Sequence, residues 1–202
     1  SELEVHYAIT QRIKERYPPE QYEYVTVGRS PYIIHAFMDI MDLPVSNLPF
    51  SISHVPDYGT ISNEEIFKRV KESGDGKKVF DQFLPKSDKR ILIIDFVHYG
   101  TTLAILLSLL NEYYEGKKII HTFAISSKEN PYELALEVFK VADDELKMSI
   151  ARLDIFAPQI DIENLMRLLN STPDYMEMAK SAQQRFCRIY SVLFNERYHA
   201  TL

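Results

Sequence analysis

The chain has 202 residues, 46% of them hydrophobic, enough to bury one full core, and it is expected to form a single domain over residues 1–202. Its net charge of −6, with no basic cluster, argues against nucleic acid as the main partner. The lone Cys187 excludes an intrachain disulfide and a cysteine-built zinc site; no apolar run reaches the roughly 18 residues of a membrane span, residues 1–20 lack the apolar core of a signal peptide, and the expectation is a soluble cytoplasmic protein without a membrane partner.

In chain order, the first apolar periodicity is Val5, Tyr7, Ile9 and Ile13, a helical spacing that Pro18 and Pro19 end. Tyr22 to Val27 is rich in aromatic and β-branched residues and predicts a strand. It ends in Gly28-Arg29-Ser30-Pro31, and Pro31 suits the first turn of a helix continuing from Tyr32 to Met41. Leu48 to Ser53 reads as a second strand, followed by a turn-rich segment with Pro56, Asp57 and Gly59. Ser62-Asn63-Glu64-Glu65 is a capping box, in which Ser62 and Glu65 would satisfy each other's exposed amides; it opens a helix with Ile66, Phe67 and Val70 on one face, closed by Gly74, Asp75 and Gly76.

The segment Ile91 to Leu103, ILIIDFVHYGTTL, carries the most information. Four apolar residues predict a strand buried on both faces, and Thr102 onward opens an apolar helix. A glycine between such a strand and helix permits a tight turn, and the helix N-terminus turns exposed amides and partial positive charge toward it, which is how a phosphate is seated. Asp95 lies at the carboxyl end of the strand, within reach of a sugar whose phosphate is held at Gly100, Thr101 and Thr102. Lys118 to Ile125 predicts another buried strand, and strands alternating with helices predict a mainly parallel sheet with flanking helices. From Asn130 the pattern turns helical, with Asn130 to Met148, Asp161 to Leu169 and a last helix from Ser171 that holds Cys187; Leu153 to Ile160 reads as an edge strand between them.

In ILIIDFVHYGTTL the chain resembles the type I phosphoribosyltransferases, whose signature is a strand, two acids, three variable residues and Thr-Gly-x-Thr. Asp95 aligns with the second acid, Gly100 with the glycine and Thr102 with the last threonine. Ile94 stands in place of the first acid, Tyr99 in place of the first threonine, and His98 where the purine-salvage branch holds an acidic residue. The resemblance covers about Tyr22 to Ile125. It implies that Tyr99, Gly100, Thr101 and Thr102 surround a ribose 5-phosphate, that Asp95 contacts the ribose, and that Gly28, Arg29 and Ser30 hold the pyrophosphate. His98 becomes the candidate catalytic residue, and magnesium would arrive bound to the substrate.

A protein of this kind, if active, is a pentosyltransferase that displaces pyrophosphate with a nitrogen nucleophile. The resemblance leaves pairing with a second copy open, and nothing in residues 1–21 or 126–202 names a base. The segment holding His54, Asp57 and Tyr58 stands where the family carries a loop that covers the reacting centre. The alternative is a non-catalytic descendant that senses a nucleotide or binds other proteins through its C-terminal helices. A third reading is a doubly wound domain unrelated to the family. Serine-hydrolase, P-loop, dinucleotide-binding and zinc-protease motifs are all missing from the sequence.

Overall fold

The computed structural model describes residues 2–52, 55–97, 100–126 and 153–156. The element order is α1 (Glu2–Arg16), β1 (Tyr22–Val27), α2 (Tyr32–Ile40), β2 (Val45–Leu48), α3 (Asn63–Ser73), α4 (Asp75–Phe83), β3 (Arg90–Val97), α5 (Thr101–Tyr113), β4 (Ile120–Ser126) and β5 (Leu153–Phe156). The strands form one sheet in the order β2-β1-β3-β4-β5, and every adjacent pair is parallel. The expected α/β architecture with a parallel sheet and flanking helices is therefore present. The predicted C-terminal helices from Asn130, including Cys187, lie outside the described residues.

Strand alternation divides the apolar residues between two layers. On β3, Ile91 and Ile93 pack with α3, α4 and α5, while Leu92 and Ile94 pack with α1 and α2. All four are fully enclosed, which explains a run of apolar residues without polar alternation in the middle of a parallel sheet. The α1 end is stitched to the β5 edge of the sheet, where Arg16 pairs with Asp154 at 2.9 Å and Tyr17 donates to the same carboxylate at 3.0 Å; beside it Tyr22 Oη of β1 lies 2.8 Å from His121 Nδ1 of β4.

β4 and α2 lie within two residues of the sequence expectation, and two other boundaries differ from it by more. The second strand is Val45–Leu48 rather than Leu48 to Ser53, because Pro49 has no N–H to continue the ladder. Phe50 and Ile52 are buried all the same, packed in the α3–α5 layer after pairing has ceased. Gly74, at φ 67°, does end α3, but the same residue starts α4, whose Val79 and Phe80 are buried. The Asp75-Gly76 pair is the first turn of that helix and not a loop.

Candidate functional site

Between β1 and β3 the chain direction across the sheet reverses. From β1 it passes to β2 on one side, and from β3 to β4 and β5 on the other. The crevice beyond the carboxyl ends of two such strands is where open α/β sheets bind ligands, since the following loops diverge there to opposite faces. A cleft of about 640 Å³ opens at this point. It is lined by Gly28, Arg29 and Ser30 after β1, by Asp95 on β3, and by Gly100, Thr101 and Thr102 at the start of α5. The structure thus brings seven of the nine sequence-predicted site residues into one cavity. His98 and Tyr99 lie outside the described residues, as does His54.

Both turns are shaped by a left-handed glycine. Gly28 has φ 65° and Gly100 φ 88°, values a side chain disfavours. The first intrahelical bond of α5 runs from the Ala104 N–H to the Gly100 carbonyl at 2.9 Å. The Thr101, Thr102 and Leu103 amides therefore precede the intrahelical ladder, and all three residues line the cleft. Among the described residues no side chain caps α5, and no acid stands in its first turn. The α2 N-terminus, beginning after Pro31, likewise has no side-chain cap. By contrast α3, whose Asn63 reaches the cleft rim, is capped: the Glu65 N–H donates to Ser62 Oγ at 3.2 Å. The expected capping box is not reciprocal, because the Glu65 carboxylate accepts from Arg69 Nε at 3.0 Å.

Among the described residues Asp95 is the one carboxylate lining the cleft, and it is only 9% exposed. Burial pushes its carboxyl up to about 8, opposed in part by a hydrogen bond from the Phe96 backbone N–H. A carboxyl raised in this way keeps its proton closer to neutral pH than an ordinary aspartate, and in that form it can donate a hydrogen bond. A magnesium ion would find one reluctant ligand here, and among the described residues no cluster of three His, Cys, Asp or Glu side chains could hold a metal. Such residues fit a cation only where phosphate oxygens and water complete its shell.

The sequence did not single out Phe50, Ser51, Asn63 or Ile66 as site residues, and all four line the cleft. Asn63 was hidden inside a capping motif, and Ser51 inside an expected strand. Tyr58, 41% exposed, forms part of the wall, on the turn-rich segment where a covering loop was expected. That segment has no basic residue of its own; Arg69 of α3 reaches it, donating to the Pro56 carbonyl at 2.9 Å and lying 3.9 Å from Asp57.

Set against models of known families, curated proteins and solved structures, the chain matches none. Fold and cleft define an α/β protein with a ligand-type crevice at the switch point of a parallel sheet. No helix among the described residues is long and apolar enough to cross a membrane.

Proposed function

We propose that this cleft binds a ligand containing ribose 5-phosphate, in the manner of a divergent type I phosphoribosyltransferase. The reading is carried by one observation: two glycine turns, each opening a helix without a side-chain cap, converge with a buried acid in a single cleft. In this reading the α5 amides at Thr101 to Leu103 hold the 5-phosphate and the protonated Asp95 donates to a ribose hydroxyl. Gly28, Arg29 and Ser30 hold the pyrophosphate when the ligand carries one. A neutral acid suits this place, since it adds no negative charge beside a phosphate.

Binding without efficient turnover is favoured by the charge of the lining. Arg29 is the only cationic side chain among the described lining residues and Asp95 the only acid. Transfer would break the bond from the anomeric carbon to pyrophosphate and form one to a nitrogen acceptor. The departing charge would meet one guanidinium, so the transition state gains little electrostatic stabilisation.

A thermal-shift screen with phosphoribosyl pyrophosphate, ribose 5-phosphate and nucleoside monophosphates, with and without magnesium, tests the proposal. A ligand at 100 times its Kd should stabilise the fold by about 2.7 kcal/mol. Pyrophosphate release over a panel of bases should remain slow. No shift with any phosphorylated ribose would remove the proposal, and rapid pyrophosphate release would establish a transferase.

A further inference from the structure

We infer that Asn47, which does not line the cleft, is a positioning residue for its pyrophosphate side and fixes the orientation of the Gly28-Arg29-Ser30 turn. The inference rests on the proposed reading of the cleft and concerns how one half of it is held in shape.

Asn47 is on the edge strand β2, in register with Thr26 of β1. Its Nδ2 donates to the Gly28 carbonyl at 2.9 Å and lies 3.2 Å from both the carbonyl and the Oγ1 of Thr26. The adjacent Leu48 carbonyl accepts the Gly28 N–H at 2.9 Å. Both peptide groups of the left-handed Gly28 are therefore pinned by two consecutive residues of β2. Thr26 Oγ1 is held in turn 2.8 Å from His35 Nδ1 of α2, so the anchor is braced from the helix that the turn opens.

The direction of this anchor decides what the turn presents. No peptide bond among the described residues is cis, and in a trans peptide the N–H lies opposite the carbonyl. With the Gly28 carbonyl drawn to β2, the Arg29 N–H is directed away from β2. β2 and β3 flank β1 on opposite sides, so that direction leads toward β3 and the cleft between the two turns. Rotating the peptide would aim a carbonyl at a bound anion instead.

Asn47 keeps this arrangement at a cost. Its Oδ1 is buried with no hydrogen-bond partner among the described residues. Reversing the amide would set that oxygen against the Gly28 and Thr26 carbonyls, neither of which can donate. The side chain is thus committed to its donor end, and the stranded acceptor shows that the donor is what the position uses.

The test compares two ligands in the full chain by calorimetry: ribose 5-phosphate, which needs only the α5 side, and phosphoribosyl pyrophosphate, which needs both sides. Asn47→Asp places a carboxylate against the two carbonyls, and Asn47→Ala removes the donor without adding charge, in case the first variant folds poorly. Either variant should weaken phosphoribosyl pyrophosphate about tenfold or more, the scale of a charge-assisted hydrogen bond, while ribose 5-phosphate changes by less than about twofold. Parallel losses of both ligands would show a merely structural role and overturn the inference, as would no loss of either. A wild-type chain that binds the pyrophosphorylated ligand no better than ribose 5-phosphate also overturns it while leaving the proposed function standing; one that binds neither removes both.

Discussion

Ile94 and Asp95 are neighbours on β3 that face opposite layers of the protein. Ile94 is wholly enclosed in the layer formed with α1 and α2, and Asp95 opens on the cleft on the α5 side. Two consecutive acids at the end of a strand must point to opposite faces. Here one of those faces is sealed by an apolar layer, so isoleucine at 94 belongs to the way the helices cover the sheet.

Placing an acid at position 94 should therefore damage the fold before it helps any chemistry. Ile94→Asp would place a carboxyl among Leu92, Phe123 and the α1–α2 residues of that apolar layer. A loss of about 3–5 kcal/mol is expected, the scale of an uncompensated buried charge. Urea unfolding measures it; a midpoint equal to wild type would mean that position 94 has access to water.

Asp95 should give the protein a distinctive pH dependence. Its folded-state value of about 8 lies above the ordinary 3.8, so between these values the folded state holds a proton that the unfolded state has released. Its contribution to stability is fully present below about pH 4 and is lost as pH rises through about 8, with a slope of at most about 1.4 kcal/mol per pH unit. Asp95→Asn keeps a neutral donor, and unfolding curves from pH 5 to 9 should be flatter in this variant than in wild type. Affinity for a phosphorylated ribose should likewise fall between pH 7 and 9 in wild type and hold in the variant. Equal slopes in the two proteins would show that Asp95 is ionised throughout.

Gly100→Ala probes the second turn. At φ 88° a Cβ is strained, and a stability loss of about 1–2 kcal/mol is expected. Because the same residue sets the first amides of α5, ribose 5-phosphate affinity should drop with it, whereas Gly116→Ala, at φ 69° after the far end of α5, should cost stability alone. Calorimetry beside melting curves separates the two. Equal effects on affinity would detach the α5 N-terminus from the ligand.

Much of this site was legible because its signals are local. The β3 strand announces itself as a doubly buried run, and a glycine between strand and helix predicts the turn at 100 as well as the one at 28. What the sequence hid depends on contacts distant along the chain. β2 lies at the sheet edge, where Val45, Ser46 and Asn47 are only partly buried, so its hydropathy is weaker than that of Phe50 and Ile52 beyond it. The raised pKa of Asp95 follows from enclosure, which no spacing encodes. α4 was missed because a glycine that ends one helix rarely announces the next.

The wall of the cleft at Tyr58 yields a last expectation. Its segment is held by internal turns, with the Thr60 N–H 2.8 Å and the Ile61 N–H 3.1 Å from the Asp57 carbonyl, and Asp57 itself has φ 62°. Beside the apolar packing of Val55 and Ile61, the polar link to the helix layer is Arg69, which spans the Pro56 carbonyl, Glu65 and Asp57. These side chains are substantially exposed, so Arg69→Ala should cost less than about 1 kcal/mol of global stability. Its effect should instead be local: amide exchange at Tyr58, Thr60 and Ile61 should accelerate while α3 keeps its protection, since the Ser62 cap does not depend on Arg69. With that wall loosened, ribose ligands should bind more weakly at unchanged fold stability. Hydrogen exchange read by mass spectrometry, with calorimetry on the same samples, decides the matter; faster exchange throughout α3 would show that Arg69 supports the helix and not the wall.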